Sequence, residues 1–259
     1  MPELPEVEAA ARALARAVRG RTIARVEVLH PALARRLPPA AARSLAGRRI
    51  VGVTRRGKHQ LIALDDGRVL VAHFRLNGDW VIGRDGEPLP RFARAAIVCT
   101  DGRRVVLEDS RALCTLEVAA RAEEALPALG PEPLSRGFTP AVLGAALARR
   151  RGPVKPALLD QRVVAGLGNI YAAEALWLAR VSPFARASSL GAARLAVLVR
   201  AIKQVLRRAP PGRYWLADGE RTWRVYDREG ERCRRCGAAI RRRVQAGRST
   251  FYCPACQRR

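Results

Sequence analysis

Four cysteines near the C-terminus have the spacing of a metal site. Cys233 and Cys236 form one Cys-x-x-Cys pair, and Cys253 and Cys256 form a second pair after 16 intervening residues. Each pair can present two thiolates to one tetrahedral ion, so the spacing predicts one structural zinc ion. Disulfides or an empty site are the alternatives.

The residues between the two cysteine pairs favour a hairpin. Strands are predicted over 240–244 and 249–252, with Gly247 at the turn. Zinc would stabilise this module, which is too small to fold around its own core. The hairpin is strongly basic and either contacts phosphate or presents a solvated face; its arginines are Arg241, Arg242, Arg243 and Arg248.

The N-terminus, Met1-Pro2-Glu3, offers a second kind of chemistry. Removal of Met1 would leave Pro2 as a free secondary amine, which can attack a sugar C1′, expel a base and form an iminium. Glu3 would be the nearest carboxylate for proton transfer. If Met1 persists, the Pro2 nitrogen is a tertiary amide and cannot attack. The same residues also fit an ordinary lead-in to a helix, so they decide nothing alone.

The secondary structure predicted to position these residues changes from strands to helices along the chain. A helix is predicted over 6–19, followed by short strands over 22–29, 50–54, 59–64, 69–74, 95–100 and 104–108. Short strands with Asp-Gly turns indicate a β-sandwich. Beyond the Pro- and Gly-rich stretch at 127–133, helices are predicted, one beginning at Thr139-Pro140 and one with an apolar stripe over 195–206.

These segments predict an α+β multidomain protein. Its parts are an N-terminal β-sandwich with a leading helix (1–130), a helical domain (131–221) and a C-terminal zinc hairpin (222–259). Cys99 and Cys114 lie in apolar runs and are expected to be buried core thiols.

Composition points to a polyanionic partner. The formal net charge is +25, from 48 basic and 23 acidic residues. Nucleic acid is the favoured partner, and an anionic membrane, an acidic protein or a genomic bias towards arginine are the alternatives. No membrane span or secretory signal is recognisable, so we expect a cytoplasmic protein associated with the nucleoid.

Four segments occur together and in order along the chain. They are the N-terminal Pro-Glu-Leu-Pro-Glu, Arg55-Arg56-Gly57-Lys58, residues 158–171 and residues 247–257 with their cysteines. Together they resemble the formamidopyrimidine-DNA glycosylase / endonuclease VIII family over the whole chain. The resemblance implies a β-sandwich, a helix-two-turn-helix domain and a zinc hairpin, with DNA in the cleft between. It also implies release of oxidised bases from damaged DNA, double-stranded or single-stranded, followed by β,δ-elimination, and we expect a monomer.

The resemblance assigns roles to individual residues. Pro2 matches the nucleophile, Glu3 the general acid/base and Glu6 an acidic residue beside them, while Lys58 matches a lysine at the lesion phosphate that assists proton transfer. Lys155, Asn169 and Arg248 match phosphate-binding residues, and Glu174 an acidic helix residue that is either near the DNA or structural.

Other positions depart from the oxidised-purine enzymes of the family. Leu76 stands where they carry a methionine that fills the gap left by the flipped base. Arg111 matches the first residue of their Arg-Arg-Phe run, but Ala112 and Leu113 replace the second arginine and the phenylalanine. Arg94 replaces a histidine that contacts phosphate in those enzymes.

The segment 209–222 is short compared with the loop that covers the flipped base in those enzymes. We therefore expect broad specificity over ring-opened purines and oxidised pyrimidines, with weak activity on 8-oxoguanine paired with cytosine. Two rival hypotheses are a non-catalytic binder of damaged or abasic DNA and a general zinc-hairpin nucleic-acid protein.

Overall fold

The chain is described by a computed structural model over residues 1–209 and 223–258. Its described residues divide into two compact units, 1–127 and 128–209 with 223–258. The finer division at 130/131 and 221/222 stays a prediction, and the short segment expected around 209–222 lies, from residue 210 on, outside the described residues.

The first unit begins with helix α1 (Leu4–Val18) and is otherwise built from antiparallel strands with three short helical turns. The strands are β1 (Ile23–Val28), β2 (Ile50–Arg56), β3 (His59–Leu64), β4 (Val69–His73), β5 (Asp79–Arg84), β6 (Ala93–Cys99), β7 (Arg103–Glu108) and β8 (Thr115–Ala119). The helical turns are α2 (Pro31–Ala34), α3 (Pro39–Arg43) and α4 (Ala122–Ala125).

These strands form two four-stranded sheets, with orders β1-β6-β7-β5 and β2-β3-β4-β8. Leu14 of α1 joins Ile62 and Leu70 of one sheet and Ile97 and Leu107 of the other in a single core. Each of these side chains is at most 1% exposed. Burial of one such side chain contributes roughly 1.5–3 kcal/mol, so the shared core holds the layers together. The predicted β-sandwich with a leading helix is confirmed.

The second unit contains four helices followed by a hairpin. The helices are α5 (Pro140–Ala148), α6 (Val154–Leu159), α7 (Asn169–Leu178) and α8 (Ala192–Arg207), and the strands are β9 (Arg241–Gln245) and β10 (Arg248–Tyr252). Thr139 caps α5 as expected, since its hydroxyl accepts the Val142 N–H at 3.3 Å. The hairpin strands lie within one residue of the predicted ones.

Helix α7 is central to this unit because it is buried from Ile170 to Trp177 and packs against α6, α8 and β10. At its C-terminal end, Ala173 and Trp177 share a small core with Val225, Ile240 and Phe251. The hairpin therefore folds onto a helix rather than standing alone. Within residues 1–209 and 223–258, no helix is long and apolar enough to cross a membrane.

Candidate active site

The N-terminal residues are buried at the start of α1. Pro2 is buried, and Glu3 and Glu6 are only 2% and 5% exposed. The Glu6 carboxylate accepts the backbone N–H of Glu3 at 2.8 Å, which is half of a capping box. Glu6 thereby fixes the backbone beside Pro2, a positioning contact that the sequence alone did not specify.

Lys58 reaches the same region through a tight turn. Strand β2 ends at Arg56 and β3 begins at His59, so Gly57 and Lys58 form a two-residue hairpin loop. Gly57 has a φ of 57°, which suits glycine at the first central position of such a turn. The Lys58 side chain is 6% exposed.

Arg55 ties this turn to α1. Its Nε donates to the Glu8 carboxylate at 2.8 Å, and its NH1 donates to the Gly57 carbonyl at 2.9 Å. The guanidinium is thus a rigid link between the first helix and the loop that carries Lys58.

The terminal amine lies within this cluster. Burial lowers the pKa of the Met1 amine, Glu3 and Glu6 raise that pKa, and Lys58 and Arg111 lower it, with a net shift below 8.0. A half-buried amine near two cations gives up its proton more readily, which is what a nucleophilic amine needs. The structure therefore brings together Glu3, Glu6, Lys58 and Arg111 at the chain terminus.

A pair of histidines that the sequence analysis missed lies behind Lys58. His59 and His73 face each other across β3 and β4, with ring centroids 4.6 Å apart. Burial lowers the pKa of His59 to about 4 and that of His73 to about 3. The neutral His73 accepts the Arg75 N–H at its Nδ1, at 2.9 Å, and so holds the loop that leads to Leu76.

A buried carboxylate holds the second expected loop. Asp109 is fully buried and accepts the backbone N–H groups of Arg111, Leu113 and Cys114 at 3.0, 2.7 and 2.7 Å. Arg94 contacts the same residue, since its Nε donates to the Asp109 carbonyl at 2.7 Å.

The two loops are joined to each other. The amide of Asn77 donates to the Ser110 hydroxyl at 3.1 Å. Leu76 is half-buried and Leu113 is 47% exposed, while Arg75 and Arg111 are both exposed, so the loop tips present apolar surface and two cations to solvent. The expectation that Cys99 and Cys114 are buried thiols agrees with their positions in the core.

The second unit brings the other candidate residues together. Asn169 begins α7, and its amide donates to the Ser249 carbonyl at 3.1 Å, next to Arg248. Arg248 is exposed and follows the turn Ala246-Gly247, in which both residues have positive φ. An exposed guanidinium beside a helix N-terminus is an arrangement that suits an anion such as phosphate.

Lys155 lies beneath this pair and is 1% exposed. Its ammonium donates to Asn169 Oδ1 at 2.6 Å, to Thr250 Oγ1 at 2.9 Å and to the Ser249 carbonyl at 3.0 Å. Through these contacts Lys155 supports Asn169 and the hairpin in this structure. Direct phosphate binding by Lys155 stays a prediction.

Glu174 has a structural position. Its buried carboxylate accepts the backbone N–H groups of Arg224, Val225 and Tyr226, all at 2.8–3.0 Å. It anchors the start of the C-terminal segment onto α7, which accounts for an acidic residue in a mostly apolar helix.

The four cysteines fit a zinc ion. Their Sγ atoms all lie within 4.8 Å of one another, with Cys233 and Cys256 4.0 Å apart and Cys236 and Cys253 3.5 Å apart. Zn–S bonds of about 2.3 Å place tetrahedral sulfurs about 3.8 Å apart.

Comparisons with known proteins agree with this geometry. Family models match residues 1–116 (formamidopyrimidine-DNA glycosylase N-terminal domain), 129–212 (its H2TH domain) and 230–259 (a zinc finger found in FPG and IleRS). Formamidopyrimidine-DNA glycosylases of Sphingopyxis alaskensis and Phenylobacterium zucineum are 42% and 43% identical, each over all of both chains.

The chain belongs to the formamidopyrimidine-DNA glycosylase family. Solved structures agree: MutM in complex with carbocyclic 8-oxo-G containing DNA matches with a TM-score of 0.92 and 31% identity over all of both chains. The Lactococcus lactis glycosylase bound to DNA with an AP site matches with a TM-score of 0.91 and 31% identity over 99% and 100% of the two chains. The expected family, fold, DNA glycosylase function and structural zinc are confirmed.

The buried histidine pair predicts a pH-dependent stability. The groups facing it are Arg56, Arg75 and Lys58, which all disfavour a further positive charge. Unfolded histidines bind protons below pH 6.5, whereas the folded pair stays neutral to about pH 4, so stability falls as pH falls through this interval. Each histidine contributes at most about 1.4 kcal/mol per pH unit.

Urea unfolding at pH 7, 6 and 5 measures this effect. In His59→Phe, which keeps an aromatic ring in place, the loss between pH 6 and 5 should shrink by about 1 kcal/mol. An identical pH dependence in the variant and the parent would contradict the assignment.

Asp109→Asn should destabilise the first unit by about 1–3 kcal/mol, because an amide nitrogen cannot accept the N–H groups that the carboxylate accepts. Chemical denaturation checks the value. Asp101→Asn is the control in an exposed turn, where Asp101 accepts one backbone N–H and pairs with Arg21 at the surface, and it should change stability by less than about 1 kcal/mol. Equal effects of the two substitutions would rule out a special role for Asp109.

Proposed function

We propose that this glycosylase acts on oxidised bases in DNA and also cleaves the resulting abasic site, with the amine of Pro2 as its nucleophile. The observation that carries the proposal is the cluster at the chain terminus, where the buried Glu3, Glu6 and Lys58 and the exposed Arg111 all act electrostatically on the amine. Removal of Met1 would transfer the terminal amine to Pro2 within the same surroundings.

The proposed reaction begins with attack of the neutral Pro2 nitrogen on C1′ of the damaged nucleoside. The C1′–N bond of the base breaks, the attacking Pro2 nitrogen releases its proton to the site, and the departing base takes up one proton. Glu3 donates a proton to the sugar ring oxygen as the ring opens, and the nitrogen lone pair forms the iminium at C1′.

The lyase steps follow from the iminium. It acidifies C2′, whose proton is removed as the 3′ phosphate departs, and a second elimination releases the 5′ phosphate. Hydrolysis of the iminium then frees Pro2. Lys58, a cation beside the amine, would neutralise the phosphate that lies next to the reacting sugar.

The second unit supplies the proposed DNA-backbone contacts. Asn169 at the start of α7 and the exposed Arg248 would hold phosphates, and Lys155 would orient Asn169 from below. The net charge of +25 favours association with DNA through counterion release. The two solved relatives described above were both bound to DNA, which supports this partner.

The side chains on these two loops would fill the gap left by the flipped base only weakly. Leu76 and Leu113 offer aliphatic surface but no aromatic face to stack on the orphan base, and Arg75 and Arg111 are exposed cations on the same two loops. Base stacking on an aromatic side chain contributes roughly 1–3 kcal/mol. We therefore propose broad lesion specificity with weak excision of 8-oxoguanine from pairs with cytosine.

Borohydride reduction of the iminium tests the nucleophile. The parent protein should form a covalent adduct with DNA that contains an abasic site, and Pro2→Gly should lower its yield at least tenfold. Pro5→Gly is the control, because Pro5 is a nearby proline in the first turn of α1 and has no free amine, and the Pro5→Gly variant should still be trapped. A parent protein that binds abasic DNA but is never trapped would establish the non-catalytic binder instead.

Adding an arginine and a phenylalanine to the second loop tests the specificity proposal. The double variant Ala112→Arg/Leu113→Phe should excise 8-oxoguanine opposite cytosine about fivefold faster, which corresponds to a gain of about 1 kcal/mol in stacking. Cleavage of a preformed abasic site serves as the control and should change little. If the parent already removes 8-oxoguanine as efficiently as its best pyrimidine lesion, the proposal is wrong.

A further inference from the structure

Trp177 contacts the zinc site from helix α7. Its side chain is buried at the C-terminal end of the helix, and its indole Nε1 donates to the sulfur of Cys233 at 3.4 Å. The two residues are 56 positions apart in sequence, so the contact joins the helix directly to a metal ligand. A zinc-bound thiolate carries negative charge that such a donor stabilises.

Arg235 lies between Cys233 and Cys236 in the sequence and contacts the same end of the helix. Its guanidinium carbon lies 3.9 Å from the centre of the Trp177 ring, close enough for a cation–π contact. Its two terminal nitrogens donate to the carbonyls of Trp177 and Leu178 at 3.1 and 3.4 Å. A cation at a helix C-terminus is also favoured by the helix dipole.

The opposite end of α7 carries Asn169, which is itself held by the Ser249 carbonyl of the hairpin. Helix α7 is therefore attached to the zinc-bearing segment at both ends. The N-terminal attachment is a neutral amide contact beside the buried Lys155, and the C-terminal attachment runs through a cysteine sulfur.

We propose that Trp177 and Arg235 form an outer shell of the zinc site that slows zinc release and locks α7 to the metal. Trp177 stabilises the Cys233 thiolate through its indole N–H, and Arg235 clamps the indole and the helix end. Neither residue is one of the four cysteine ligands, and both act on the site through Cys233 and the end of α7, so both are positioning residues. Outer-shell substitutions at metal sites typically cost 10–100-fold in metal affinity.

The test compares two tryptophans in the zinc-loaded, full-length protein. Trp177→Phe keeps an aromatic ring but removes the N–H, and Trp80→Phe removes a comparable buried contact, the one from Trp80 Nε1 to Gln60 at 2.9 Å in the first unit. Transfer of zinc to a chromogenic chelator should be 10–100-fold faster in the Trp177 variant and unchanged in the Trp80 variant. Release within twofold of the parent, or equal acceleration in both variants, would overturn the proposal.

A measurement on the unaltered sequence covers the case in which Trp177→Phe does not fold. In protein loaded with ¹¹³Cd, the Trp177 indole proton should show scalar coupling to the metal through the Cys233 sulfur, and it should exchange slowly with solvent. An indole proton that is uncoupled and exchanges freely would overturn the proposal.

Discussion

Burial of the chain terminus is the constraint on which the first unit depends. A terminal amine is ordinarily solvated and protonated, and here desolvation lowers its pKa while Lys58 and Arg111 oppose a further charge. Such an amine is useful only if its backbone is fixed. The Glu6 carboxylate provides this by accepting the Glu3 N–H, and the packing of Leu14 into the shared core holds α1 itself in place.

A related constraint operates in the second unit, where a buried cation must find acceptors. Ser249 and Thr250 of the hairpin both supply acceptors to the Lys155 ammonium. A buried charge that lost one of its partners would cost several kcal/mol, so the hairpin, Asn169 and Lys155 are energetically one unit. The zinc ligands then hold the far side of the same hairpin against α7.

Much of this arrangement could be predicted from local patterns. The cysteine spacing, the Thr139-Pro140 start and the six strongly apolar strands all followed from chemistry within a few residues. Strands β5 and β8 were missed, because β5 contains Gly83 and β8 has only one buried residue, Leu116, so neither shows clean alternation. The short helices α2, α3 and α4 are single turns without a periodic pattern.

Contacts between distant segments could not be predicted in the same way. His59 and His73 become neighbours only through the register of β3 and β4, and Asp109 looks like an ordinary turn residue until its three N–H donors are seen. Lys155 was expected to face phosphate, yet its sequence neighbours gave no sign of acceptors 94 and 95 residues away. For the histidine pair, the one available hint was that His59 follows Lys58 directly in the sequence.

The location of the covalent bond to DNA tests the central claim most directly. The protein is reduced with borohydride in the presence of abasic DNA, digested with nuclease and protease, and the modified peptide is sequenced by mass spectrometry. The expected result is a sugar remnant on the nitrogen of Pro2 in a peptide that lacks Met1. A remnant on Lys58 or another lysine, or a trapped protein that retains Met1, would contradict it.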